Sequence, residues 1–300
     1  MDKIRIDSRP DLSGGRLVLA FTGWMDGGEV STGTVKGLID EFGAEPFAEV
    51  DPEGFYVCSF PGDPQTSALV RPHIKVRDGL VESVELPSSR FYCAEDRKLA
   101  FFVGKEPHLN WRQFADCVLE FAAELGIESM YFVGSFTGSV PHTREPRLHL
   151  LVSHESLKEP LLRFGFRPTN YEGPGSFMTY FNTRASERDL SMVNIVAEIP
   201  AYLGGTNPSS IEAVTRRLAA MLEIEVDLSR LRQASNKWEA TVSEAIGEEA
   251  EMAEHIRELE KQYDDDLLES TSKDGLVPGL DGFLTREEEL PEASDEPGEV

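Results

Sequence analysis

A chain of 300 residues, 40% of them apolar, is long enough to bury a sizeable core in one large α/β domain or two small ones. Its formal net charge of −25 argues against nucleic acid or an anionic membrane as a general partner. The charge is uneven: from Glu248 to Val300 there are 19 Asp and Glu against 4 Lys and Arg, so the acidity concentrates at the C-terminal end.

The opening residues, MDKIRIDSRP, hold no apolar stretch of the secretory kind, and no apolar run reaches the roughly 18 residues of a spanning helix. The expectation is a cytoplasmic protein with no membrane association. Leu17 to Phe21 (LVLAF) is a continuous apolar run of strand length, followed by the glycine loop GWMDGGE at 23–29 and by Val35, Leu38, Ile39 and Phe42 at helical spacing. Strand, loop and helix are predicted in that order. Residues 47–103 mix turn signals such as Pro61-Gly62-Asp63-Pro64 with short strand-like runs, of which Leu99 to Val103 (LAFFV) is the clearest. Cys58, Cys93 and Cys117 form no CxxC and no His-paired spacing; they read as reduced, buried thiols, and no metal site or cofactor is expected.

Asn110 precedes an apolar stripe, Trp111, Phe114, Val118, Phe121 and Leu125, which predicts a helix with Asn110 as N-cap and Gln113 as its capping-box partner. Gly126 ends it. Met130 to Val133 (MYFV) predicts the next buried strand, which opens into GSFTGSVPHTREPR at 134–147. A further strand is predicted over Val193 to Ile199. From it AYLGGTNPSS leads into a helix carrying Ile211, Val214, Leu218 and Met221, with Asn207 as N-cap and Pro208 at the first helical position.

Repeated strand, loop and helix units, with strands apolar on both faces, imply a single α/β domain over 1–226 built on a mainly parallel sheet flanked by helices. Ligands of such sheets gather at the strands' carboxyl ends. The loops at 23–29, 134–147 and 200–207 all follow predicted strands, and YEGPGS at 171–176 is a fourth candidate for the same edge. From Leu231 to Tyr263 apolar positions recur in a 4-3-4-3 rhythm, which predicts one long helix over 227–263. Its stripe, with Trp238, Val242, Met252, Ile256 and Leu259, either covers its own domain or forms an oligomer seam. Residues 264–300 are acidic, contain Gly and Pro, lack a core-forming pattern and are expected to be a disordered tail.

A glycine-rich loop that opens a helix can bind phosphate through free N–H groups. Here Asp26 and Glu29 are spaced as N-cap and N3, so their carboxylates would satisfy those groups themselves. Neither GxGxxG nor GxxxxGK[ST] occurs. A capped turn, the wall of a binding crevice and a phosphate cradle are the readings, in that order. Trp24 fits simple capping less well, because its indole needs burial with a partner or a surface to bind. In VPHTREP, His142 has the chemistry of a general base and Arg144 that of a carboxylate or phosphate clamp, with Thr143 between them. No GxSxG elbow supplies a nucleophile. A hydrogen-bonded structural loop, a ligand or partner contact and catalysis are the choices there. Tyr171, Glu172 and Tyr202 pose the same choice between loop packing and a crevice, and Asn207 is explained by capping.

GWMDGGE, VPHTREP after an apolar strand, YEGPG, and EIPAYLGGTNPSS before a helix, in this order, together resemble the proteasome assembly chaperone 2 family over roughly residues 15–265. The resemblance implies a phosphorylase/hydrolase-like α/β domain, self-association or pairing with a related subunit, and help in assembling proteasome core particles without chemical catalysis. Met25 and Gly27 depart from the family's usual Asn and Ala, and Ala201 stands where the family pattern has His. The sequence ends Gly-Glu-Val, without the hydrophobic-Tyr-X ending by which some proteasome-binding proteins dock.

The expectation is therefore a non-catalytic assembly chaperone or scaffold acting through protein partners, as a homo-oligomer, with proteasome subunits as partners where the source has them. A hydrolase, a phosphorylase-like enzyme or a ligand-binding protein using the strand-end crevice is the alternative. No complete nucleophile, base and oxyanion set is visible to support it.

Overall fold

The computed structural model describes residues 3–273 except 60, 62, 63 and 69. The first half of the chain supplies β1 (Ile4–Ile6), β2 (Gly15–Thr22), α1 (Val30–Glu41), β3 (Glu45–Val50) and a short α2 (Pro64–Ala68). A hairpin of β4 (His73–Arg77) and β5 (Leu80–Glu85) follows, then β6 (Arg90–Ala94), β7 (Leu99–Lys105), α3 (Trp111–Glu124) and β8 (Ile127–Gly138). Next come β9 (Arg147–Val152), a short α4 (Lys158–Leu162), β10 (Arg167–Pro168), α5 (Phe177–Ser186), β11 (Ser191–Pro200) and α6 (Pro208–Leu222). Two helices, α7 (Ser229–Gly247) and α8 (Ala250–Lys273), complete the described chain.

Nine strands form one sheet in the order β1-β3-β6-β7-β2-β8-β11-β9-β10. The central β7, β2, β8 and β11 are parallel, which brings their carboxyl ends to one edge. The sheet expected to be mainly parallel is mixed at its flanks: β1, β3 and β6 join antiparallel on one side and β9 on the other. Connection length explains the difference. β6 passes to β7 through one tight turn at Glu95–Arg97, which suits antiparallel neighbours, whereas parallel neighbours need a crossover.

Alternation places the LVLAF run in two cores at once. Leu17, Leu19 and Phe21 face a phenylalanine-rich layer under α3 and α5, while Val18 and Ala20 face an aliphatic layer under α1 and α6. In the first layer the rings of Phe91 and Phe102 meet edge-on at 4.7 Å, and those of Phe55 and Phe114 at 5.0 Å. Val30, Leu38, Ile195, Val214 and Leu218 fill the second.

Four sequence expectations meet corrections. Asn110 does precede α3, but its backbone is left-handed (φ 53°), so its side chain makes no cap; it donates instead to the carbonyl of Gly54. Cys58 is exposed and Cys93 and Cys117 are half-buried rather than buried, all three as free thiols. The single helix expected over 227–263 is two helices, broken after Gly247, a residue that weakens a helix interior by about 1 kcal/mol. Finally, α8 runs to Lys273, past Tyr263 where apolar periodicity fades, because Asp264 and Asp266 are held by arginines of the domain. The remainder of the expected acidic tail, 274–300, lies outside the described residues.

Candidate functional site

Loop 23–29, the end of β8 with the loop 139–146, and loop 201–207 meet at the carboxyl edge of the four parallel strands; β8 runs on to Gly138, five residues into the segment expected as loop. Ser135 binds this junction twice, its N–H donating to Met25 O and its Oγ to Gly27 O. Gly28 is left-handed (φ 62°), and a Cβ there would come within 2.8 Å of Asn207 Cβ, so only glycine lets the two loops touch. Across that contact the N–H of Asn207 donates to Gly28 O. Asn207 also caps α6 through Ser210 N at 3.0 Å, with Pro208 behind it, as the sequence predicts.

Asp26 holds the start of α1 by a different geometry from the predicted cap. A short 3-10 turn at Gly27–Glu29 intervenes, so Asp26 reaches six residues ahead and accepts from the N–H and the hydroxyl of Thr32, at 3.0 and 2.9 Å. Burial pushes its carboxyl above the ordinary aspartate range, against the pull of those bonds. Glu29 does not close a capping box; it accepts from the Thr206 hydroxyl. With both carboxylates committed, this helix start presents acid rather than free N–H groups, which is unsuited to phosphate.

His142, Thr143 and Arg144 come together on the underside of α7 and α8. The His142 ring is buried, with Nδ1 2.8 Å from the Tyr202 hydroxyl and Nε2 3.1 Å from Ser243 Oγ of α7. Trp238 of α7 lies edge-on to it at 6.4 Å. Burial lowers the imidazole pKa and raises the Tyr202 phenol to about 12. Thr143 donates to Glu260 of α8, and the Arg144 guanidinium takes Asp264 through Nε and a terminal nitrogen, both at 2.9 Å. Arg147, three residues on at the start of β9, pairs with Asp266 at 2.7 Å and lies over the Tyr263 ring at 4.8 Å.

Glu198 organises the same corner from β11. It accepts from Ser139 N at 2.9 Å and lies 3.4 Å from His149; burial alone would raise its carboxyl, but His149, Arg147 and Ser139 together bring it below the usual range. The space left between Pro141, His142, Pro200, Asn207 and Trp238 is about 10 Å³, room for one water at most.

Trp24, Tyr171 and Glu172 stand apart on the rim. Trp24 is 71% and Tyr171 69% exposed; the Tyr171 hydroxyl turns back onto Pro174 O, and Glu172 is exposed. Glu106 ties their loops together, accepting from Trp24 N and from Phe177 N at the start of α5. Sequence reasoning missed Glu106, Ser135, Glu198 and Arg147. Only Glu198 carried a local signal, a carboxylate inside the apolar run of β11.

Among the described residues, no group of three His, Cys, Asp or Glu side chains is placed to hold a metal ion, and no helix is long and apolar enough to cross a membrane. The Cys117 thiol is pushed up to about 11 by burial, which makes it a poor nucleophile.

Among the curated proteins, none matches the sequence. Comparison with solved structures finds a proteasome-assembly chaperone homologue of Mycobacterium tuberculosis, 29% identical, with a TM-score of 0.69 over 80% of this chain and 99% of that one. A PAC2 family protein of Streptomyces avermitilis is 26% identical, with a TM-score of 0.68 over 81% and 99%. The fold extends to an archaeal proteasome activator of Pyrococcus furiosus, at 19% identity and a TM-score of 0.61 over 82% and 99%. The model of the PAC2 family matches residues 20–246, from the end of β2 through α7 and so across all the loops of the strand-end edge. The chain belongs to the PAC2 family.

Proposed function

We propose that this protein is an assembly chaperone or scaffold that works through protein surfaces and performs no chemistry at the strand-end edge. The observation that carries the reading is the closure of that edge by the chain's own helices. Both His142 ring nitrogens are engaged, Arg144 is occupied by Asp264, and the remaining space is about 10 Å³, far below the few hundred Å³ of a ligand pocket. The rim offers the opposite: Trp24 and Tyr171, residue types favoured as interface anchors, stand exposed on loops fixed by Glu106. The names of the mycobacterial and archaeal relatives, a proteasome-assembly chaperone homologue and a proteasome activator, favour proteasome subunits as the protein partners.

Reconstitution tests this. The purified protein is mixed with proteasome α and β subunits from its source, and core-particle formation is followed by native electrophoresis. Faster assembly is expected, lost in Trp24→Ala. Subunits that neither bind nor assemble faster at about 10 μM, a concentration that populates even weak specific complexes, would remove the proteasome reading. Turnover of a phosphorylated or acylated small molecule, abolished by His142→Gln, would replace it with the enzyme.

A further inference from the structure

The seat of α8 on the domain is built from arginines. Arg144 grips Asp264 through Nε and a terminal nitrogen, Arg147 pairs with Asp266 and lies over the Tyr263 ring, and Thr143 donates to Glu260. Two parallel N–H···O bonds to one carboxylate, and a guanidinium on an aromatic face, are directional contacts of the kind used in recognition. On the helix the matching groups follow one spacing. Ile256, Leu259, Glu260, Tyr263 and Asp264 recur at three and four residues and so share a face, with Asp266 three residues beyond Tyr263.

This shelf of cations is larger than its occupant. Arg147 Nε is buried without an acceptor, and Arg167, close enough to act on the Tyr263 phenol, pairs with no carboxylate among the described residues. The occupant is also lightly held. Among the described residues of α8 only Ile256 and Leu259 are buried, α7 before it buries none, and Asp264 and Asp266 stay 50% and 59% exposed. Ion pairs that wet hold a helix weakly. The break after Gly247 lets α8 part from the domain while α7 stays.

We propose that the shelf of Thr143, Arg144, Arg147 and Arg167 is a docking site for an acidic amphipathic helix of a partner protein, held in cis by α8 as a displaceable stand-in. The inference rests on the function proposed above only in taking the partner to be a protein. Charge complementarity selects the occupant, since arginine clusters are a recurring means of reading acidic motifs. α8 displays what the shelf accepts: carboxylates four residues apart, at 260 and 264, behind the aliphatic anchors Ile256 and Leu259. A free phosphate or a single carboxylate does not reproduce that spacing. Tethering gives α8 an effective concentration on the order of millimolar, so a partner helix docks by outcompeting it or by meeting it already loosened.

The test offers the full chain an acidic helix in trans, a labelled peptide of residues 250–273, and reads binding by fluorescence anisotropy. Asp264→Ala with Asp266→Ala loosens α8 and keeps the shelf; hydrogen exchange of α8 should quicken while circular dichroism shows the body folded. This loosened chain should bind the peptide at least about tenfold more tightly than the wild type does. Adding Arg144→Ala to it should remove the gain, and a peptide with Glu260→Gln, Asp264→Asn and Asp266→Asn should bind none of the three proteins. Binding absent up to about 1 mM in the wild type and the loosened chain, or undiminished by Arg144→Ala, overturns the docking site. Either result leaves the assembly reading standing, because that reading is judged by core-particle formation. Binding that appears only after truncation at Lys273 would assign the shelf to the chain's own acidic tail and overturn the partner helix.

Discussion

Two asparagines before two helices show how backbone conformation decides what a residue does. Asn207 is non-helical with negative φ and caps α6; Asn110 is left-handed and cannot reach its own helix. Asn207→Ala is expected to cost about 1 kcal/mol, read from the urea midpoint. Asn110→Gly should lose much less, because glycine relieves the left-handed conformation that the lost bond to Gly54 O helped to hold. Equal losses would show that conformation does not separate the two. Asp26→Ala should lower stability by about 0.5–2 kcal/mol through the two Thr32 bonds, with Asp26→Asn retaining most of it, since an amide oxygen still accepts from Thr32 N–H and its NH₂ can donate to the hydroxyl. His142 has a pH signature. Its folded pKa is lowered by burial, so its contribution is complete above the unfolded value, about 6.5, and is lost as pH falls through the folded one. Acidification should therefore loosen α7, seen as faster hydrogen exchange near Ser243, and His142→Gln should blunt that response. A pH response unchanged by the substitution would place its origin elsewhere.

At the scale of elements, α7 and α8 are seated differently from the rest. α7 buries no residue fully, and α8 is held by Ile256, Leu259 and an ionic clasp of Glu260, Asp264 and Asp266 against Thr143, Arg144 and Arg147. Such a clasp is solvent-accessible and screened by salt. Truncation after Tyr263, which removes both aspartates, should speed exchange throughout α8, whereas truncation after Lys273 should not. Raising the salt concentration should act on α8 in the same direction before it affects the central strands. Identical exchange in the two truncated proteins would show that apolar contacts alone seat the helix. The hairpin teaches a complementary lesson about legibility. HIKVRDGLVESVE contains an Asp-Gly turn between alternating runs, a strong hairpin signal, obscured in a stretch crowded with other turn residues. The Asn110 cap failed for a different reason: its left-handed φ accompanies a contact with Gly54, more than fifty residues away in sequence, which no local pattern records.

The whole molecule divides into a doubly layered body and a helical cover. Phe114→Ala, in the densest aromatic layer, should destabilise the body by about 3–5 kcal/mol, moving the main unfolding transition monitored by circular dichroism. Trp238→Ala should leave that transition nearly unmoved and accelerate exchange only in α7 and the 140–144 loop, because contacts at the cover open locally at lower free energy than the core. A common shift in both would mean that body and cover unfold as one unit. By itself the sequence determined the α/β class, the strands β2, β7, β8 and β11, and the helices that follow three of them, because burial on one or both faces writes a period into the chain. It also led to the expectation that the glycine-containing loops after β2, β8 and β11 share one edge, since parallel strands share their carboxyl ends. Only the tertiary structure decided what happens there. Glu106, Ser135, Glu198 and Arg147 act through partners tens of residues distant, and α7 and α8 fold back over His142 and Arg144 because their carboxylates and apolar stripe find matching groups on the domain. Those contacts turn residues with the chemistry of a crevice into a seal, and pairings of that range leave no period in a sequence.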